Sequence, residues 1–457
     1  MARTHDLTEG KPIRLILSFC IPTMLGFLFQ QLYNIADTAI VGRTLGAEML
    51  GAVGCTWSLN FLVLGFCMGT CSGFAIPLAQ CFGARDRHSL RKNLYNSIWI
   101  CLFMAGILTV ITAIACPAML RFMNTPEDIL DAANSYLRVI FIGIPATMLY
   151  NMCCCVLRSL GDSRTPVFFL VLASLINVAL DFVTILVFHM GVRGAAIATV
   201  TSQLLSGIGC LTVLMKKFPI LKGTAEEKKF RPDVAKRLIA IGCPMGLQFS
   251  ITAIGTLVVQ FAVNGLGTSA ISALSAGNRV GNIFTCAYDA LASTITTFAG
   301  QNIGAKKPGR VSEGVKAASL LGIVYSLLTM VILWLFGPFF ISLFIDPGES
   351  KEVVDMASYF LRFSSCFYIA LMFVNVLRLA IQGMGYTRDA MLAGLFETVA
   401  RVVVSLFLVP SLAYTGVCMA HPAAWVMACL YLFPCYFAKI KKEKERCAPQ
   451  SAEAPAD

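Results

Sequence analysis

Runs of about twenty apolar residues follow one another along this chain from end to end, and each is long enough, at about 1.5 Å per helical residue, to cross a hydrocarbon layer of about 30 Å. Twelve such runs are legible, at residues 14–38, 48–75, 94–116, 132–157, 166–188, 193–215, 237–261, 269–298, 316–336, 353–382, 390–410 and 414–437. With 57% of the 457 residues hydrophobic, 13% charged and a mean hydropathy of +0.75, the chain lies outside the soluble globular range. The sequence therefore predicts an all-α, multi-pass integral membrane protein whose immediate partner is the lipid bilayer. Arg3, Lys11 and Arg14 precede a first run too long for a signal-peptide core, so that run is expected to stay in the protein. The 18 cysteines fall mostly inside the apolar runs without metal-ligand spacing and read as small buried hydrophobes.

A net charge of +11 raises the question of an anionic or nucleic-acid partner, and its placement answers it. Lys and Arg cluster in "ARDRHSLRK", "RSLGDSR", the stretch from Lys216 to Arg237, "AKKPGR" and the tail "KIKKEKER", all on one side of the membrane if twelve spans alternate. The other side holds only Arg43, Arg121, Arg193 and Lys351. This is the positive-inside pattern, with both termini in the cytoplasm and no nucleic-acid partner.

The chain also matches itself. "QCFGA" at residues 80–84 recurs as "QNIGA" at 301–305, an offset of 221 that also carries Pro117 onto Pro338 and Pro126 onto Pro347. Pro22 and Pro244 pair at an offset of 222. Tyr136-Leu137-Arg138 with Phe360-Leu361-Arg362, Asn151 with Asn375, Gly161 with Gly385 and Arg164 with Arg388 pair at 224. An ordered series with a slowly drifting offset indicates a duplicated unit of six spans. An even number of spans per unit makes the two units parallel. The expected organisation is a six-helix bundle over 1–215, a linker over 216–236, a second bundle over 237–438 and a tail over 439–457, with a V-shaped cleft between the bundles, as in secondary transporters. Pro22 and Pro244 are expected to bend the first helix of each half, and Gly65, Gly69 and Gly73 to let a neighbouring helix approach closely.

Within these apolar runs a few polar side chains stand out, because a carboxylate at bilayer depth costs roughly 2.5–3.5 kcal/mol and needs a partner or a cavity. Asp181 lies in the outer half of the fifth span, with Asn177 one turn before it on the same helix face. Asp37 near the outer end of the first span and Thr199 about two turns into the sixth reach a similar depth. These four are the expected ion-coupling site, for H+ or for Na+, because two neighbouring carboxylates repel and are relieved by a shared proton or by a cation completed with Asn and Thr oxygens. At the repeat offset their counterparts are Val258 or Val259, Ser405 and, for Asn177, Arg401, so the acid pair belongs to the first half alone.

For a substrate cleft the sequence offers Tyr33, Met148, Met152, Gln248, Gln260 and Asp289, although packing or interhelical hydrogen bonding accounts for each of them equally simply. Glu397 and Arg401, at i and i+4, are expected to pair with one another, and Asp289 to face the cleft or to pair with Arg279 or Arg378. Scattered histidines and the absence of H-E-x-x-H, Walker and G-x-S-x-G motifs argue against an enzyme and against a bound cofactor.

The stretches "IPTMLGFLFQQLYNIADTAIVG", "LRSLGDSRTP", "NVALD", "GAAIAT" and "TTFAGQNIGA" resemble, in order and on the matching spans, the multidrug and toxic compound extrusion (MATE) transporters, in the branch with a first-half ion site. That resemblance implies a bacterial cytoplasmic-membrane antiporter of twelve helices, acting as a monomer, that exports organic cations and drugs for H+ or Na+. It assigns the ion site to Asp37, Asn177, Asp181 and Thr199. The seventh-span carboxylate of another branch is missing from residues 237–261. A flippase of lipid-linked saccharides on the same superfamily fold, and a membrane receptor without transport, are the alternatives.

Overall fold

The computed structural model describes residues 6–123, 125–344 and 351–447; Arg3, Pro347 and the tail from residue 448 onward, all named above, lie outside them. Every regular element among the described residues is helical. The first half comprises α1 (Pro12–Leu45), α2 (Ala47–Cys55), α3 (Trp57–Gly83), α4 (Arg87–Phe122), α5 (Glu127–Ile142), α6 (Ile144–Ser159), α7 (Arg164–Asp181) and α8 (Gly191–Lys217). The second comprises α9 (Pro232–Asn264), α10 (Thr268–Gly304), α11 (Pro308–Ser342), α12 (Lys351–Ser365), α13 (Tyr368–Gly383), α14 (Thr387–Val403), α15 (Val409–Leu412) and α16 (Tyr414–Cys447).

These elements make the twelve spans. Nine helical segments are long and apolar enough by themselves, and two bent pairs, α5 with α6 (49°) and α12 with α13 (52°), make two more. The twelfth is α10, which at 37 residues is long enough but carries Asn278, Arg279, Asn282, Asp289, Gln301 and Asn302. It can be that polar because it lies between the halves, packed on α1 and α3 as well as on α11 and α13. The second run, read as 48–75, is divided at Thr56 into the short α2 and a longer α3 that continues to Gly83.

The duplication extends to backbone conformation. Left-handed residues recur in pairs: Gly46 with Gly267, Arg85 with Lys306, Gly161 with Gly385 and His189 with Ala413. Arg85, Gly161, Lys306 and Gly385 end α3, α6, α10 and α13 with the same closure, in which the next residue's N–H reaches back five positions, as Asp86 to Cys81 and Lys307 to Asn302. In both halves the fifth helix of the unit passes into a π-helical turn, Phe182–Val187 after α7 and Val404–Leu408 after α14. Pro22 and Pro244 sit inside helices that remain continuous. All 18 cysteines are free, most of them buried in the cores.

The end of the bundle that carries the basic loops is where the halves are drawn together. A Cβ on Gly83 would lie 1.9 Å from Gln301 O, and one on Gly304 would lie 1.8 Å from Gln80 O, so the two helix ends touch backbone to backbone. Around that contact the paired glutamines reach across reciprocally: Gln80 Nε2 donates to Gly383 O (3.2 Å) and Gln301 Nε2 to Ser159 O (2.9 Å). Further along α3, Gly69 faces Met245 O and Gly73 faces Gly242 Cα on α9, at Cβ distances of 2.6 and 2.5 Å, the close approach expected of that glycine series. Segments ahead of the two first helices add to the closure. Residues 6–10 lie on the second half, where Leu7 is fully buried, exchanging hydrogen bonds with Gln301 and Asn302, and Arg310 donates to Gly10 O. The linker lies on α4 of the first half, with Arg91 donating to Ile220 O, Trp99 to Lys228 O and the Arg231 N–H to Asn96.

Candidate functional site

Asp181 ends α7 just where the helix widens into its π turn, a feature common at functional positions, and its side chain is fully buried. Neither of its carboxylate oxygens has a hydrogen-bond donor, and the Oδ1 of Asp37 has none either. The two carboxyls instead face one another within hydrogen-bonding reach. One turn before Asp181, Asn177 is also buried; its Oδ1 accepts from the Tyr33 hydroxyl and its Nδ2 donates to Thr199 Oγ1 at 3.4 Å. Thr199 donates in turn to Ala195 O. The four residues expected to converge thus do so, on α1, α7 and α8.

Two hydroxyls complete the cluster. Tyr33, expected along the cleft, belongs to this site through Asn177. Tyr136, on α5, was not singled out by its sequence, and it lies buried in the field of both acids. One signal for it existed: at the repeat offset its counterpart is Phe360, so its hydroxyl, like the acids, belongs to the first half alone.

Such a site offers only oxygen ligands. Two carboxylates left ionised side by side in a buried site repel, and a proton shared between them or a hard monovalent cation relieves the repulsion. Asn177 and Thr199 supply neutral oxygens of the kind that complete such a cation's shell, so the donor set fits either H+ or Na+. Among the described residues no group of three or more His, Cys, Asp or Glu is arranged to hold a metal ion.

The other cleft candidates are dispersed. Met148 (1% exposed) and Met152 (6%) are packed in the first-half core rather than along a cleft, because the stripe of α6 that carries them faces that core. Gln248 is buried, tying α9 to α13 by accepting from Gln382 Nε2 at 2.6 Å. Gln260 donates to Asn264 on its own helix. Asp289 opens into a cavity, of about 200 Å³, shared with Asn278, Asn282, Tyr368, Asn375 and Trp425. Beside it the expected pair of Glu397 and Arg401 (3.3 Å) is a triad, with Arg378 Nη1 donating to the other carboxylate oxygen of Glu397 at 2.7 Å.

At the basic end, polar groups outside the spans fix the loops. The Asp162 carboxyl is raised by burial but held below its ordinary value overall by Lys217 and Thr165. Glu227 is lowered to about 2 by the Thr224 backbone N–H and by His88, with Arg91 adding its charge.

Comparison with known proteins bears on the family and the fold. The profile of the MatE family matches residues 22–183 and 244–407, one match in each half. The probable multidrug resistance protein YpnP of Bacillus subtilis is 28% identical over 366 residues, covering 80% of this chain and 81% of that protein. An FAD transporter of Shewanella oneidensis is 24% identical over 388 residues, covering 83% and 84%. Among solved structures, an outward-facing multidrug resistance MATE family transporter superimposes with a TM-score of 0.90 at 22% identity, over 97% of this chain and 99% of the other.

Proposed function

The chain belongs to the MatE family, whose members are transporters and not enzymes, and from that premise we propose that it is an ion-coupled antiporter that exports bulky amphipathic or cationic organic compounds in exchange for H+ or Na+. One observation carries the coupling: two acids meet in a buried first-half site, and three of their four oxygens lack any donor. The multidrug resistance relatives support export of drug-like compounds. The basic loops face the cytoplasm in this reading, which places both termini there, in a bacterial plasma membrane, with the protein acting as a monomer.

The mechanism follows from what neutralisation does to packing. Two unit charges about 4 Å apart repel by about 4 kcal/mol at an effective dielectric of about 20. That is most of the roughly 5.5 kcal/mol that takes a two-state equilibrium from 1:99 to 99:1. With an ion held, Asp37 and Tyr33 on α1 draw toward Asp181 and Asn177 on α7. On its release, repulsion acts directly between these helices. Since α1 also packs on α10 of the second half, the strain reaches the contact between the halves. The ion state thereby biases which end of the cleft is open, and export needs no ATP.

The test is reconstitution of the full chain in proteoliposomes under an imposed proton or sodium gradient, with a panel of fluorescent organic cations and FAD. Uptake driven by one gradient identifies the ion. Asp181→Asn is expected to insert normally and to abolish gradient-driven exchange; full exchange by that variant refutes the assignment.

A further inference from the structure

The linker between the halves is built against one face of α4. Tyr95 holds its start, donating to Leu221 O (3.2 Å) and accepting from the Gly223 N–H (3.1 Å), and Trp99, one turn further along that face, donates to Lys228 O (3.0 Å). The Lys228 ammonium is turned back over the Tyr95 ring, 5.7 Å from its centroid. Trp99 is 50% exposed and begins a stripe continued by Phe103, Val110 and Ile114, each more than half exposed, which in a spanning helix is the face that meets lipid. The linker therefore crosses α4 where its lipid-facing stripe starts, and Phe230 stands exposed there as well. Lys92 lies one turn before Tyr95 on the same helix. Among the described residues Lys92, Lys228 and Lys229 make no salt bridge, while the linker's acids are engaged elsewhere, Glu227 with His88 and Arg91 and Glu226 with Arg231. The repeat does not carry this face. Aligned on Lys11-Pro12 and Arg231-Pro232, which begin α1 and α9, the residues Lys228, Lys229 and Phe230 correspond to Thr8, Glu9 and Gly10, and at the offset of 221 Tyr95 and Trp99 correspond to Lys316 and Leu320. A cationic, aromatic face thus occurs once, and the repeated frame does not require it.

We propose that Lys92, Lys228 and Lys229, beside Tyr95 and Trp99, form a binding site for an anionic phospholipid of the leaflet that meets the basic end of the bundle, a phosphatidylglycerol or another lipid whose headgroup carries net negative charge. The phosphodiester is met by ammonium groups, compact charges on flexible stems that suit a headgroup at a wet surface. The acyl chains lie along the stripe that runs from Trp99, and the exposed Phe230 ring gives them a second apolar edge. A phosphatidylcholine or phosphatidylethanolamine headgroup brings a cation of its own, which the unpaired lysines repel, so net charge and not the phosphate alone decides occupancy. A lipid held there ties to the bilayer the segment through which the chain passes from α8 of one half to α9 of the other. The site is separate from the transport reading above and holds whichever compound is carried.

The experiment uses the full chain carrying Trp57→Phe, Trp334→Phe and Trp425→Phe, which leaves Trp99 as its single tryptophan. It is reconstituted in mixtures of phosphatidylcholine and phosphatidylglycerol in which one or the other lipid carries bromine on its acyl chains near the headgroup. Quenching of Trp99 by each brominated lipid gives the relative affinity of the site for the two. Phosphatidylglycerol is expected to be favoured roughly fivefold or more at low salt, and less as ionic strength rises. Lys228→Gln with Lys229→Gln is expected to bring that ratio to about one. Lys441→Gln with Lys444→Gln, which removes the same charge from the end of α16, is expected to leave it unchanged; all four lysines are exposed, so neither pair of substitutions disturbs packing. A ratio near unity in the parent, or one unmoved by the Lys228 and Lys229 substitutions, overturns the proposal. So does an equal fall in the Lys441 and Lys444 variant, which makes the preference a property of the basic surface at large. Loss of the preference on adding glycerol 3-phosphate at constant ionic strength overturns it too, and gives the site to a soluble phosphate.

Discussion

Replacing Gly304 by Ala places a methyl group 1.8 Å from Gln80 O. Real Cβ contacts do not fall below 3.0 Å, so α3 and α10 must separate by at least 1.2 Å at the basic end, and the atom in the way is backbone, which no rotamer change can move. The reciprocal bonds lie within a turn of that point, and lengthening donor–acceptor distances of 2.9 and 3.2 Å by that amount takes them beyond hydrogen-bonding range. Overpacking of this kind costs about 1–3 kcal/mol. Charged to the closed state alone, that changes the ratio of closed to open molecules by roughly 5–150-fold. Hydrogen exchange by mass spectrometry on the reconstituted protein reads it directly. Amides of residues 80–86 and 301–307 are expected to exchange faster in Gly304→Ala, and likewise in Gly83→Ala, whose Cβ meets Gln301 O at 1.9 Å. Gly106→Ala, with nothing within 4 Å of its Cβ, serves as the control. Unchanged exchange in both stretches, with transport at the wild-type rate, refutes the view that this contact closes the basic end.

Three further outcomes follow from the same geometry. Leu7→Ala removes a fully buried side chain from the segment that lies across the basic end, at a cost of about 2–5 kcal/mol; because the lost contacts are local, residues 6–10 are expected to become protease-sensitive while the melting temperature of the bundle changes little. The Glu227 carboxyl sits near 2 in the folded chain against an ordinary 4.5, so its contribution to linker docking is complete above about pH 4.5 and is lost as pH falls toward 2; pepsin cleavage within residues 218–231 should rise over that window, and Glu227→Gln should flatten the dependence. Tyr33→Phe deletes the hydroxyl that donates to Asn177 and is expected to weaken the coupling ion's apparent affinity, measured from the gradient dependence of exchange, while leaving Asp181 in place.

How legible this molecule is in its sequence depends on the length scale over which each feature is encoded. Bilayer thickness imposes twenty-residue apolar runs, so all twelve spans, the more polar α10 included, can be read from composition and length. The convergence of Asp37 and Asp181 could be read because carboxylates in apolar surroundings are rare and depth along a helix can be counted. Met148 and Met152 could not be placed, because a side chain facing a cleft and one facing a core share the same helical period. The breaks at Gly143 and between Ser365 and Tyr368, the π turns, and the left-handed Arg85 and Lys306 come from tertiary packing; Arg and Lys give no local signal for positive φ, whereas Gly161 and Gly385 do. Nor does any spacing rule link Tyr33 to Asn177, 144 residues apart.

Duplication explains why the two halves close on one another so evenly, and divergence explains why they need not bind alike. Features that hold the backbone survive in both copies: paired left-handed caps, bent fourth spans, π turns, and glutamines that reach across to the opposite half. At the equivalent interior positions the copies part. Asn177 corresponds to Arg401, Asp181 to Ser405, Ala173 to Glu397 and Tyr136 to Phe360. A requirement of the fold would have been kept twice, and these four positions carry different chemistry in the two halves. The first half holds acids short of donors, and the second holds arginines short of acceptors.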